Sequence, residues 1–337
     1  MKSFLQLNTI FISMVMEAIP FVLVGVLISG LIQTFVTERW ISRIVPRNRL
    51  LSSLFGCGIG VLFPSCECGI VPITRRLIRK GMPLHAGIAF MLTGPIINPI
   101  VLFATYIAFG NDWNMVFIRG GTAIVVAFCV SMAVSFLFPA LPFKEKEPRA
   151  PATPVQESAA AAEEPDGGAP GRSSAAQAPP AAAVLAASAG VAVAVPQASV
   201  WSRLNDVIVH AIEEFFSVGK YLVIGAFIAA ALQTYVPTGT LLHLGGNPLT
   251  ASLVMISLAF VISLCSEADA FIASSFRGSF TVGALSAFLV FGPMIDIKNT
   301  LMLLGTFRTK FVALLIALVA GFTLLGSLAV GRLLGEW

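Results

Sequence analysis

Apolar positions along this chain run in long blocks rather than in stripes. Phe21–Ile32, Met115–Phe138 and Phe311–Val330 hold few or no charged residues. A stretch of roughly 20 apolar residues spans a bilayer as a helix. A lipid-embedded backbone must satisfy its own hydrogen bonds, so helices are expected. Barrel strands would alternate apolar and polar positions, and these blocks do not. The pattern predicts an all-α polytopic membrane protein with four apolar pieces in each of two blocks. The first block holds 10–36, 50–76, 82–109 and 115–138, the second 206–236, 249–276, 280–305 and 311–333. The second piece of each block is interrupted by a polar cluster. If it crosses the membrane, each block has four spans. If it dips in and returns, each has three transmembrane helices and a re-entrant hairpin.

Composition sharpens the class. The 337 residues are 57% hydrophobic and 11% charged, against about 25% charged in soluble domains. Residues 144–200 depart from the rest, being rich in Ala, Pro, Glu, Ser and Gly, and read as a disordered linker. The expected organisation is a first membrane repeat over 1–143, the linker over 144–200, and a second repeat over 201–337. The blocks match each other in order. Leu31–Val36 aligns with Ala231–Val236 at an offset of 200, where Glu67 also meets Glu267. After a two-residue slip Arg79 meets Arg277, and Phe90–Asn98 meets Phe288–Asp296.

Charge decides between the topologies. Cytoplasmic loops carry an excess of Lys and Arg. With hairpins and an outside N-terminus, 15 Lys and Arg lie inside and 4 outside, Arg119 among the outer ones. Eight full crossings give at best 12 against 7. The hairpin reading puts an odd number of spans in each half, so the repeats are inverted, as in many secondary transporters. It also places the chain in the inner (cytoplasmic) membrane with a cytoplasmic linker. The N-terminal stretch reads as a retained first helix rather than a signal peptide.

The same features narrow the partners. No basic patch interleaved with aromatics points to nucleic acid. The five cysteines lie in or beside apolar segments and do not form the framework of a small secreted domain. There is no nucleotide-binding glycine loop, no catalytic constellation and no signal for a resident cofactor. Expected partners are membrane lipid, a small-molecule or ion substrate, and either a partner membrane subunit or further copies of the chain.

Three constellations carry candidate chemistry. Pro64-Ser65-Cys66-Glu67-Cys68-Gly69 breaks the second piece at membrane depth, where a carboxylate is costly unless partnered. Cys66 and Cys68 are soft ligands and Glu67 a hard one, a candidate metal set that would supply fewer ligands than a closed zinc site wants. Its counterpart is Cys265-Ser266-Glu267-Ala268-Asp269, whose two acids are candidates for protonation, for pairing with Lys298 or for facing a bound cation. The third is Gly94-Pro95-Ile96-Ile97-Asn98-Pro99 with Gly292-Pro293-Met294-Ile295-Asp296. Gly-Pro pairs are expected to break these helices and to leave half-helix ends whose dipoles face a ligand. The substrate or ion site is therefore expected at Cys66, Glu67, Cys68, Asn98, Ser266, Glu267, Asp269 and Asp296. Pro64, Gly69, Gly94, Pro95, Pro99, Gly292 and Pro293 are the expected helix breaks and gates. Glu17, inside the first span, is a candidate relay.

Together, Pro64–Gly69 and Gly94–Pro99 resemble the predicted permease family that includes YraQ-type and YcgR-type proteins and the ArsP-type organoarsenical exporters. The resemblance covers both halves and excludes the linker. It implies a secondary transporter, with export of trivalent organoarsenicals in some members, whose thiophilic arsenic would suit Cys66 and Cys68. Metal-ion handling, as a divalent-metal permease, is the alternative within transport. A subunit of a larger complex and a thiol-redox or metal-delivery factor are the alternatives outside it.

Overall fold

The structure is a computed structural model and describes residues 2–35, 41, 43–46, 48–62, 66–138, 200–235 and 247–336. The linker expectation for 144–200, apart from Val200, and the break at Pro64 fall outside the described residues.

Among the described residues the chain forms helices: α1 (Lys2–Phe35), α2 (Arg49–Leu62), α3 (Glu67–Arg79), α4 (Leu84–Thr93), α5 (Pro99–Ala108) and α6 (Trp113–Leu137) up to residue 138. From residue 200 onward come α7 (Val200–Tyr235), α8 (Pro248–Ile262), α9 (Ser266–Ser275), α10 (Val282–Met294), α11 (Ile297–Thr306) and α12 (Thr309–Leu333). Among the described residues five stretches are long and apolar enough to cross a membrane: Phe4–Ile32, Trp113–Leu137, Val207–Tyr235, Val282–Thr306 and Thr309–Leu333. The second and fifth, at 25 residues each, are about 38 Å long at 1.5 Å per residue.

Burial is inverted relative to a water-soluble fold. Phe4, Met16, Phe117 and Phe216 are exposed, whereas Arg119, Glu67, Asp269, Asp296 and Lys298 are buried. Large exposed apolar surface together with a charged interior is what lipid outside and a polar path inside require. Only 28–39% of the span windows of α1, α6, α7 and α12 is buried, against 83% for Val282–Thr306. The four long helices are thus the outer wall, paired α1 with α7 and α6 with α12. The short helices α4 and α10 fill the middle and are buried along nearly their whole length.

Close glycine contacts fix the direction of each short helix. On α2, Gly56 packs against Ala86 and Gly60 against Thr93, so α2 and α4 run parallel. On α4, Gly87 packs against Ile78 and Gly94 against Ile70, so α3 runs antiparallel to α4. Hence α2 and α3 run in opposite senses between the same two levels. α4 and α5 follow α6 in a broken line, with Ser131 donating to the His85 carbonyl at one end and Arg119 reaching Thr105 at the other. α3 ends beside Ser29 and Glu214, whereas α9 runs from the centre to Arg277, which donates to the Phe109 carbonyl. The two half-helices therefore leave the centre toward opposite ends of the bundle.

Two break expectations change. Gly69 does not break a helix: it lies inside α3 and serves the crossing with α1, where a Cβ on Gly25 would sit 2.6 Å from Gly69 Cα. Pro293 lies inside α10, and the break falls after it at Ile295–Asp296, where Asp296 begins the next helix. In the first half the break does follow Gly94-Pro95, because α4 ends at Thr93 and Pro99 opens α5. Pro at the first helical position loses an N–H that would have no partner there anyway. Gly25→Val is expected to force α1 off α3 and destabilise the fold by about 1–3 kcal/mol, the range for overpacking. A lowered melting temperature of the purified protein in detergent would show it; an unchanged one would mean that the crossing has slack.

Candidate functional site at the meeting of four half-helices

Among the described residues four helices, α3, α5, α9 and α11, begin near the centre of the bundle. Asn98 caps α5 by accepting from Ile100 N at 3.0 Å. Asp296 caps α11 by accepting from Asn299 N at 2.6 Å. Cys66 and Cys265 stand at the cap positions of α3 and α9 without side-chain cap bonds. A helix start without a side-chain cap keeps donor N–H groups and a partial positive charge. The first turns of these two helices carry Glu67, and Glu267 with Asp269.

Charge pairing crosses between the halves. Lys298 Nζ lies 3.8 Å from Glu67 Oε1 and 3.6 Å from Asp296 Oδ2. Ser263 Oγ donates to Asp296 Oδ2 at 2.6 Å, and Ser266 Oγ stands 3.5 Å from Glu67 Oε2. Arg119, on α6, is fully buried. It donates to Thr105 Oγ1 at 2.6 Å and to the Ser266 carbonyl at 2.9 Å, and so joins α5 and α6 to the start of α9. Cys265 Sγ donates to Glu17 Oε1 at 2.6 Å, which brings α1 into the same cluster. Cys66 and Cys68 are in side-chain hydrogen-bond contact. Cys68 is buried and Cys66 partly open. Glu267 is partly open and lies within the field of Arg119 and Cys66.

The structure thus gathers Cys66, Glu67, Cys68, Ser266, Glu267, Asp269, Asp296 and Lys298, with Glu17 at the edge. Asn98 is present as a capping residue. Lys298, one candidate pair for the acids of α9, stands against Glu67 and Asp296, because α11 starts beside α3. Among the described residues no three His, Cys, Asp or Glu are arranged to hold a metal ion, so Cys66, Glu67 and Cys68 do not form a closed centre. Arg119, counted as an outer loop charge, is an interior residue. Its position inside an apolar block was the signal, since an intramembrane ionisable residue marks a functional site by default.

Ion pairs also stand at the two ends of the bundle. Arg76 Nη2 lies 3.1 Å from Glu214 Oε2, which accepts from Ser29 Oγ at 2.8 Å, joining α3, α1 and α7. At the other end Arg277 Nη2 lies 3.4 Å from Asp112 Oδ2.

Residues 3–332 match the ArsP-type family described as predicted permease. The chain belongs to this family. It is 53% identical over 329 residues to the UPF0718 protein YcgR of Bacillus subtilis, covering 98% of each chain. It is 39% identical over 311 residues to a putative two-component membrane permease complex subunit of Streptococcus mutans, covering 92% of this chain and 90% of that one. A UPF0718 protein of Methanocaldococcus jannaschii is 21% identical over 352 residues, covering 96% of this chain and 94% of the other. No solved structure matches this permease. Family and helices agree that it is a multi-pass membrane protein and point to a transporter rather than an enzyme.

Proposed function

We propose that this permease is a secondary transporter that exports a soft metal or metalloid species, trivalent organoarsenicals foremost, through the centre where α3, α5, α9 and α11 begin. The observation that carries the reading is the Cys66–Cys68 thiol pair set beside the Glu67–Lys298 pair. A trivalent arsenic that keeps one carbon has two exchangeable positions, so two thiols satisfy it with loss of two waters. A divalent metal wants further ligands, and among the described residues no group of three His, Cys, Asp or Glu is arranged to hold a metal ion, which favours the organoarsenical over the divalent-metal alternative.

The opposite courses of α3 and α9, and the antiparallel course of α2 and α3, support inverted repeats with re-entrant hairpins. The sequence matches across the two halves support their duplication. Rocking of one half against the other would then expose the centre to each face in turn, with Arg76–Glu214 and Arg277–Asp112 as end closures. The charge balance supports an inner-membrane location with the linker in the cytoplasm. A second reading, that the chain works with another membrane subunit, is supported by the printed name of the Streptococcus mutans relative.

Purified protein in proteoliposomes, given phenylarsenous acid as probe, tests these readings together. The wild-type chain is expected to move the probe, and Cys66→Ser/Cys68→Ser to lose at least about tenfold of that activity, equivalent to about 1.4 kcal/mol. Undiminished transport by the double variant would sink thiol ligation. Transport by the single purified chain would count against an obligate second subunit, and everted vesicles would set the direction.

A further inference from the structure

Asp269 is 2% exposed and its Oδ2 has no hydrogen-bond donor among the described residues. Arg119 is 0% exposed and its Nε has no acceptor. Each lies in the field of the other without being bonded to it. The other arms of the guanidinium are held by Thr105 Oγ1 and the Ser266 carbonyl. Asp269 Oδ2 is pressed against the α10 backbone: a Cβ on Gly292 would sit 2.8 Å from it.

We propose that Asp269, positioned by Arg119, is a proton-binding site separate from the Cys66–Cys68 thiols, and that it couples proton movement to transport. A buried carboxylate oxygen without a donor is costly, and protonation removes the charge. The close approach at Gly292 leaves room for a hydrogen but not for a hydrated cation. The charged groups around Asp269 are Arg119 from α6, Lys298 and Asp296 from α11 and its cap, and Glu267 from its own helix. α10 carries no titratable side chain. On α5 the titratable residue is Tyr106, whose ring stacks with Phe103 and lies tilted against Trp113. When the proton leaves for water, the carboxylate needs a counter-charge, and the open Nε–H of Arg119 is there to supply it. Because Arg119 also holds Ser266, that change pulls on the start of α9. The protonation state is thereby tied to the half-helix that borders the substrate centre.

The proton site can be tested without a substrate. Infrared pH titration of the purified full-length protein in lipid nanodiscs should show a carboxylic-acid C=O band of a weakly hydrogen-bonded, buried acid. Asp269→Asn should abolish it and Glu67→Gln should leave it. Arg119→Gln should carry the band to higher pH, because losing a nearby cation favours the neutral acid, and Arg119→Lys should hold it near wild type. A band unaffected by Asp269→Asn, or a titration unmoved by Arg119→Gln, would overturn the proposal. The coupling role rests on the permease reading above. In vesicles loaded with phenylarsenous acid, Asp269→Asn should lose at least about tenfold of the pH-driven flux seen in wild type, an effect of about 1.4 kcal/mol. pH-driven flux that persists in Asp269→Asn would overturn coupling. Wild-type vesicles that move no probe would overturn the substrate reading and leave the infrared result to decide the proton site.

Discussion

Lys298→Met is expected to destabilise the protein by about 3–5 kcal/mol, the cost of leaving buried charge without its partner. Lys298 is 4% exposed and stands within 4 Å of two buried carboxylates, Glu67 and Asp296. The two are not equally dependent on it. Asp296 keeps Ser263 Oγ and Asn299 N as donors when the lysine is gone. Among the described residues Glu67 keeps its own backbone N–H and the 3.5 Å approach of Ser266 Oγ. Lys298→Met/Glu67→Gln should therefore recover most of the loss, and Lys298→Met/Asp296→Asn much less, since Asn at 296 also weakens the cap of α11. Unfolding curves of the four proteins in mixed micelles measure this directly. Equal rescue by both second substitutions would mean that the lysine serves the pair as a diffuse counter-charge. No destabilisation by Lys298→Met would mean that Glu67 is already neutral in the fold.

Much of this arrangement is legible in the sequence, and the reason is chemical. Hydrocarbon tolerates so few polar residues that each one inside an apolar block announces itself. Glu67, Glu267, Asp269, Asp296 and Lys298 stood out in this way, and all lie together in the structure. The helix breaks were legible for a related reason, since Pro and Gly are the residues that end helices. Their use was not always legible. Gly69 looks like a break but is a contact surface for α1, because a missing side chain permits either and only the neighbour decides. The pairing of Lys298 with Glu67 depends on where α11 lies relative to α3, a relation between residues more than 200 positions apart that no local pattern encodes. Arg119 was misplaced because counting loop charges treats an arginine near a span end as an anchor. A guanidinium on a long side chain can equally turn inward when a carbonyl and a hydroxyl wait there.

Transport itself should fail most sharply at Glu67. Glu67→Gln is expected to lower transport of phenylarsenous acid by about 100-fold, which corresponds to about 2.7 kcal/mol. Glu267→Gln is expected to lower it by about tenfold, or about 1.4 kcal/mol. The difference follows from burial and from partners. Glu67 is 1% exposed and ion-pairs with a lysine of the other half, so its charge both borders the thiols and ties the halves together. Glu267 is partly open and has no hydrogen bond to its side chain among the described residues, so its loss changes the field of the centre without taking a carboxylate from a buried cation. Gln at 67 keeps the shape and can still accept from Ser266, so folding should survive, and melting temperature alongside flux separates the two effects. Full transport by both variants would remove the acidic centre from the mechanism. Equal loss in both would mean that the two acids act as a symmetric pair, and that the asymmetry between the Glu67–Lys298 contact and the open Glu267 belongs to one conformation of the cycle rather than to the site.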